Sequence, residues 1–182
     1  MEKASELRVS DEDRLRLLGI LLSLTNVRVK LVRPVPEINT GMYRFKARSG
    51  GEVVSVPIWL AEILIDRGLA VITDETVRKI SRNVWREYAQ PRGESLAQID
   101  KDFYPVARLY LHFLRKSGGK GLRPLAKEED ITKVLNKRLS IIMKLATLDV
   151  DTRVDERLTE EERLLLRLLR NVYRSWRSVV GI

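Results

Sequence analysis

Cysteine is absent from this 182-residue chain and histidine occurs once. The first absence excludes a disulfide framework and any thiolate metal site, as expected of a cytosolic protein. The second leaves His112 as the lone imidazole for acid–base chemistry. His112 lies between Leu111 and Phe113 on an apolar helical pattern, where a histidine is ordinarily a packed or surface residue. Long hydrophobic runs are also missing. Leu15 to Leu24 falls short of the roughly 20 apolar residues a membrane span needs, and its acidic flank (Asp11, Glu12, Asp13) is wrong for a signal peptide. No membrane role is expected. No zinc-ligand spacing, helix-turn-helix signature or aromatic ribonucleoprotein motif is legible.

Charge is plentiful and unevenly placed. The net charge is +9, yet the first 75 residues carry as many acidic as basic side chains, so all of the excess lies in residues 76–182. A basic half beside a neutral half points to an anionic partner, or to an ordinary charged surface of the thermophilic kind. With 44% hydrophobic and 32% charged residues, the chain is expected to be globular, not disordered.

The most informative stretch is Val53–Ile72. Val53 to Val56 is too β-branched for a helix, and Pro57 suits a first helical turn. Trp59, Leu60, Ile63 and Leu64 then share a helical face, Gly68 supplies a left-handed cap, and Leu69 to Ile72 reads as a buried strand. Upstream, Ser10 caps a helix carrying Leu17, Leu18, Leu21 and Leu22, and Val27 to Leu31 alternates as a strand. Met42 to Arg48 also alternates. The turn Ser49-Gly50-Gly51 is expected to fold it back on Glu52 to Val56 as a hairpin.

Beyond Thr73 the pattern is helical. Val77, Ile80, Val84 and Tyr88 form one stripe. Ser95-x-x-Gln98 reads as a capping box before Leu96, Ile99, Phe103, Val106, Tyr110 and Phe113. Pro105 falls inside that run, so either the helix kinks or it starts near Asp102; the second is favoured. Ile131, Val134, Leu135, Leu139, Ile142 and Leu145 make another helix, and Thr159-x-x-Glu162 caps a last one. The expected fold class is α+β. A small antiparallel β-rich domain with a leading helix occupies residues 1–72, and an α-helical bundle of about four elements occupies 73–182.

Enzyme signatures are weak. Gly118-Gly119-Lys120-Gly121 follows a helix instead of a strand, and no Ser or Thr follows its lysine, so phosphate-loop mechanics are missing. Asp149-x-Asp151 mimics part of a calcium loop, but Arg153 and Val154 stand where a ligand and the turn glycine belong. No enzyme, cofactor or metal is expected. The last helix is better suited to binding. Arg163, Arg167, Arg170, Arg174 and Arg177 share one face, available to acidic groups or phosphates, or simply solvated. Leucines 164, 165, 166, 168 and 169 cover more than one stripe, pointing to contacts on two sides.

Val54-Ser-Val-Pro-Ile-Trp-Leu-Ala61 resembles a segment of the GINS replication proteins, and Asp102-Phe103-Tyr104 leading into Ala107-Arg108-x-Tyr110-Leu111 is similar to a helix start in their helical domains. The order of β-module before helices resembles the second and third partner-of-Sld subunits and their shared archaeal counterpart. The resemblance implies a non-catalytic subunit in a tetramer, two plus two, with a GINS subunit of opposite domain order. That tetramer would join the MCM helicase to a RecJ-like protein at the replication fork, in cytoplasm at the nucleoid or in a eukaryotic nucleus. It further implies a subunit interface on the helices from Ser95 to Lys116 and Glu160 to Val180, with Phe103, Tyr104, Tyr110, Leu165, Leu169, Tyr173 and Trp176 as contacts and Trp59 as β-domain core. The alternative from the residues alone is a basic nucleic-acid-binding module, with DNA contacts from the arginine stripe. Asp149 to Arg157 has no assigned role.

Overall fold

A computed structural model describes residues 10–91, 95–117, 126–148 and 156–181. The glycine-rich loop at 118–121 and the Asp149-x-Asp151 motif lie outside the described residues.

Helix α1 (Asp11–Ser23) is capped by Ser10, whose hydroxyl accepts from the Asp13 amide at 3.1 Å. It buries none of its residues. The leucine stripe read from the sequence docks only in part: Leu18 and Leu22 are half-buried, while Leu17 and Leu21 are exposed because apolar residues occur around much of the helix, giving it no single face to bury.

Strand β1 (Asn26–Leu31) alternates as expected, with Val27, Val29 and Leu31 inward. Two-residue strands β2 (Ile38–Asn39) and β3 (Arg44–Phe45) pair with each other. Strand β4 (Val53–Pro57) pairs antiparallel with β1, Val29 opposite Val54, and β5 (Ala70–Ile72) lies on the other side of β1. This corrects the hairpin expectation. Met42–Arg48 does not receive Glu52–Val56; β1 does. The turn at 49–51 is real, but Gly51 at φ +90° donates to the Leu31 carbonyl at 2.7 Å, and Leu31 donates to Glu52 at 2.9 Å. Three inward residues on β1 offer more apolar cover than Phe45, the lone buried residue of β3.

Helix α2 (Ile58–Asp66) follows Pro57 directly and closes on Gly68, left-handed at φ +65°. Its inner face is Ile58, Leu60, Ala61, Leu64 and Ile65, a shift from the expected one that leaves Ile63 exposed. Helix α3 (Asp74–Tyr88) is capped by Thr73. The box at Ser95 caps nothing: residues 95–100 form no helix, and the Ala97 and Asp100 amides are taken by the side chains of Glu87 and Asn83. Helix α4 (Phe103–Ser117) starts after Asp102 with Pro105 in its first turn, as favoured. Helices α5 (Glu128–Thr147) and α6 (Glu160–Val180) complete a four-helix bundle behind the β-rich region.

One hydrophobic cluster runs from Val27 through α2, α3 and α4 to Val134 of α5, straight across the expected boundary at 72/73. A smaller cluster joins Leu96, Ile141, Ile142, Ala146, Leu158 and Leu166. Between them sit charged side chains.

Candidate functional site

Arg138 is wholly buried on α5 and makes a forked pair with Glu162: Nε to Oε1 at 2.6 Å and Nη2 to Oε2 at 2.7 Å. Its Nη1 donates to Glu87 Oε2 at 2.6 Å and to the Ala97 carbonyl at 2.9 Å, and Nη2 reaches the Arg157 carbonyl at 3.0 Å. Glu162 also accepts from the Tyr104 hydroxyl at 2.5 Å and from the Thr159 amide at 2.9 Å. The second oxygen of Glu87 lies 3.0 Å from Lys137 Nζ, whose hydrogen bonds are aimed at the carbonyls of Glu87 and Gln90. Two carboxylates thus meet two cations, and the cluster stitches α3, the 95–100 segment, α4, α5 and the entry to α6. Burial, the Glu162 charge and the hydrogen bond to it all push the Tyr104 hydroxyl pKa far above its ordinary value, so the phenol stays protonated.

This cluster was not recognised from the sequence, although it left a trace. Arg138 falls four residues after Val134 and four before Ile142, in phase with the buried stripe, and Glu87 falls three after Val84. A charge in phase with a core stripe is the signal. Glu162 was legible only as the capping residue, a role it also performs.

The expected interface residues separate into three groups. Phe103 and Tyr110 are corrected: both are sealed inside the chain's own core, at 1% and 0% exposure, with the Tyr110 hydroxyl on the Ala126 carbonyl at 2.9 Å. The stripe on α4 faces α2, α3 and the sheet, so neither ring can meet a partner. Tyr104 is tied into the charge cluster. Leu165 and Leu169 flank the smaller cluster half-buried, while Tyr173 and Trp176 lie further along α6, stacked at 6.1 Å. No residue from Arg167 to Val180 is buried; Val172, Trp176 and Val179 stand at 68%, 53% and 85% exposure.

Of the arginines, Arg163 pairs with Glu160 at 2.5 Å and Arg177 lies 6.0 Å over the Tyr173 ring. Arg170 is half-buried and engaged, and Arg167 and Arg174 face solvent without an ion pair among the described residues. Trp59 is half-buried at the edge of the β-rich core, edge-on to Tyr43 at 5.6 Å, and so forms its rim instead of its centre. His112 bonds Asp66 at 3.0 Å on the surface, a tie between α4 and α2.

No protein-family model matches the chain, and no match was found among curated proteins. Among the described residues there is no cluster of metal-ligating side chains and no helix long and apolar enough to cross a membrane.

Proposed function

We propose that the chain is a non-catalytic subunit of a GINS-type replication complex, scaffolding a replicative helicase of the MCM kind together with a RecJ-like protein. The observation that carries this reading is the far half of α6, which presents Val172, Trp176 and Val179 to solvent and buries nothing. An apolar helical face of that kind calls for cover by another chain. The β-rich region before a four-helix bundle matches the layout the resemblance implies. A subunit of opposite domain order is the expected partner. Light scattering on the purified chain, alone and mixed with such a subunit, tests the proposal. A four-chain species on mixing supports it, and a monomer indifferent to that partner sinks it.

A second reading is favoured by one specific observation, the solvent-facing Arg167 and Arg174 on a helix with no acidic residue after Glu162. As a nucleic-acid-binding module, the chain would bind DNA with an affinity falling steeply with salt. Substituting Arg170 or Arg174 with alanine would then lower the salt slope by about one each.

A further inference from the structure

Strand β4 has two edges and one partner, β1. In an antiparallel ladder, residues that bond across the pair alternate with residues whose amide and carbonyl point the other way. Leu31 donates to the Glu52 carbonyl and Ile58 to the Thr25 carbonyl, both at 2.9 Å, and Val29 stands opposite Val54 between them. Val54 and Val56 therefore turn their backbone groups towards β1. Val53 and Ser55 turn theirs outward, where they meet no hydrogen-bond partner among the described residues. A β-edge left in this state is a template for another strand.

Beside that edge lies an open groove of about 450 Å³, lined by residues of the β3 segment from Tyr43 to Arg48 and by Glu52 to Ser55. The two runs expected to pair as a hairpin thus flank a gap. Their side chains sort by depth: Phe45 and Val54 are buried, while Arg44, Lys46, Arg48 and Ser55 are exposed and Val53 stands at 57%. Three cations line the groove against one carboxylate, Glu52. Arg44 reaches Glu37 at 2.5 Å and Arg48 reaches Glu52 at 3.4 Å, both as exposed and exchangeable pairs. Lys46 has no ion pair among the described residues.

We propose that the outer edge of β4 receives an extended acidic segment of another protein, added to the sheet as a fourth strand. Its backbone would bond to Val53 and Ser55, and its acidic side chains would face Arg44, Lys46 and Arg48. Its alternate small apolar side chains would point towards Phe45 and Val54. A second copy of this chain suits the edge poorly, because pairing β4 with β4 brings two sets of cations together. The inference does not rest on the subunit reading, since α6 contributes nothing to this groove.

The probe is a blocked hexapeptide alternating glutamate with valine, added to the full chain while amide exchange is followed residue by residue. In the chain alone, Val53 and Ser55 should exchange fast, and Val54 and Val56 slowly. The peptide should slow Val53 and Ser55 about tenfold or more. The same peptide with lysine for glutamate, or with every amide N-methylated, should bind about tenfold more weakly, and Lys46→Glu should weaken binding of the original by a similar factor. Ser55→Pro removes one outward N–H and leaves the ladder to β1 complete, so it should keep a slow Val54 amide and lose the peptide. If that variant loses its slow amides it has lost its fold, and Lys46→Glu at the exposed rim decides alone. Protected Val53 and Ser55 amides in the chain alone would mean that the edge is already covered, by the chain itself or by a second copy, and would overturn the proposal. So would equal binding of either control peptide, or unchanged binding to Lys46→Glu or to a folded Ser55→Pro. An oligothymidylate that protects the same amides as well as the peptide would assign the cations to nucleic acid and overturn it too. These outcomes are separate from the mass measurement with a GINS subunit. A monomer that takes up the peptide removes the subunit reading alone, and a tetramer that ignores it removes the strand site alone.

Discussion

Arg138 uses all five of its guanidinium N–H groups on two carboxylates and two carbonyls. A buried ion pair built so completely contributes little net stability over a well-packed apolar core, because desolvation offsets the Coulomb gain. Removing one partner is another matter. Arg138→Ala would leave two buried carboxylates, of which Glu87 keeps its ion pair with Lys137 and Glu162 loses its own, and is expected to cost about 3–5 kcal/mol, read as a lower urea midpoint. A loss below about 1 kcal/mol would mean water serves the vacated site. Tyr104 gives a prediction with a pH sign. Its hydroxyl pKa is raised in the folded state by burial and by Glu162. Above the ordinary tyrosine value of 10.0 the unfolded chain releases this proton and the folded chain keeps it, so the contribution is intact below that pH and lost as pH rises past it. Tyr104→Phe should therefore flatten the decline in stability between neutral and strongly alkaline pH. An unchanged alkaline slope in the variant would show that Tyr104 ionises normally.

At the scale of elements, α1 and α2 differ in what they bury. Leu64 of α2 is sealed in the core at 1% exposure, whereas Leu21 of α1 is at 63%. Leu64→Ala is expected to cost about 2–5 kcal/mol, and Leu21→Ala to stay within about 0.5 kcal/mol, both by urea unfolding of the isolated chain. A large loss from Leu21→Ala would mean α1 is held against something in solution. For α6 the same logic separates folding from association. Trp176→Ala should leave the chain's own thermal midpoint nearly unchanged, since the ring packs mainly on Tyr173, and weaken assembly with a partner subunit by about tenfold or more. Equal assembly by variant and wild type would remove Trp176 from the interface. The pattern of helices was legible because periodicity and caps are local: Thr159 and Gly68 act where the sequence placed them, and Pro57 sits one residue ahead of the first turn of α2. What each apolar stripe faces is not local. Phe103 and Tyr110 have the same spacing whether they meet a partner or the chain's own sheet, and periodicity carries no depth. The strand partner of β4 was missed for the same reason, since alternation names a face and not a neighbour.

At the scale of the molecule, the main cluster does not respect the boundary between the β-rich region and the helices. Val29 and Leu31 of β1, Leu64 of α2, Val77 and Ile80 of α3 and Leu109 of α4 belong to one core, and the Thr76 hydroxyl donates to the Arg28 carbonyl at 3.3 Å across the junction. Arg28 and Glu75 add an exposed pair at 2.8 Å, which contributes little. The charge cluster then fastens α3, α4, α5 and the start of α6, leaving the far half of α6 outside both hydrophobic clusters apart from Leu169 at their margin. A three-stranded sheet with one short helix across it would expose the residues that α3 and α4 cover, and a sheet of that size cannot offset the conformational entropy of ordering it alone. The full chain should therefore unfold in a single calorimetric transition, with van't Hoff and calorimetric enthalpies in agreement. A chain ending at Ile72 should show no cooperative melt and exchange its β1 amides rapidly. If that fragment melts cooperatively, or the full chain shows two transitions of which the fragment reproduces one, the β-rich region is an independent domain and the shared core is a contact between finished units.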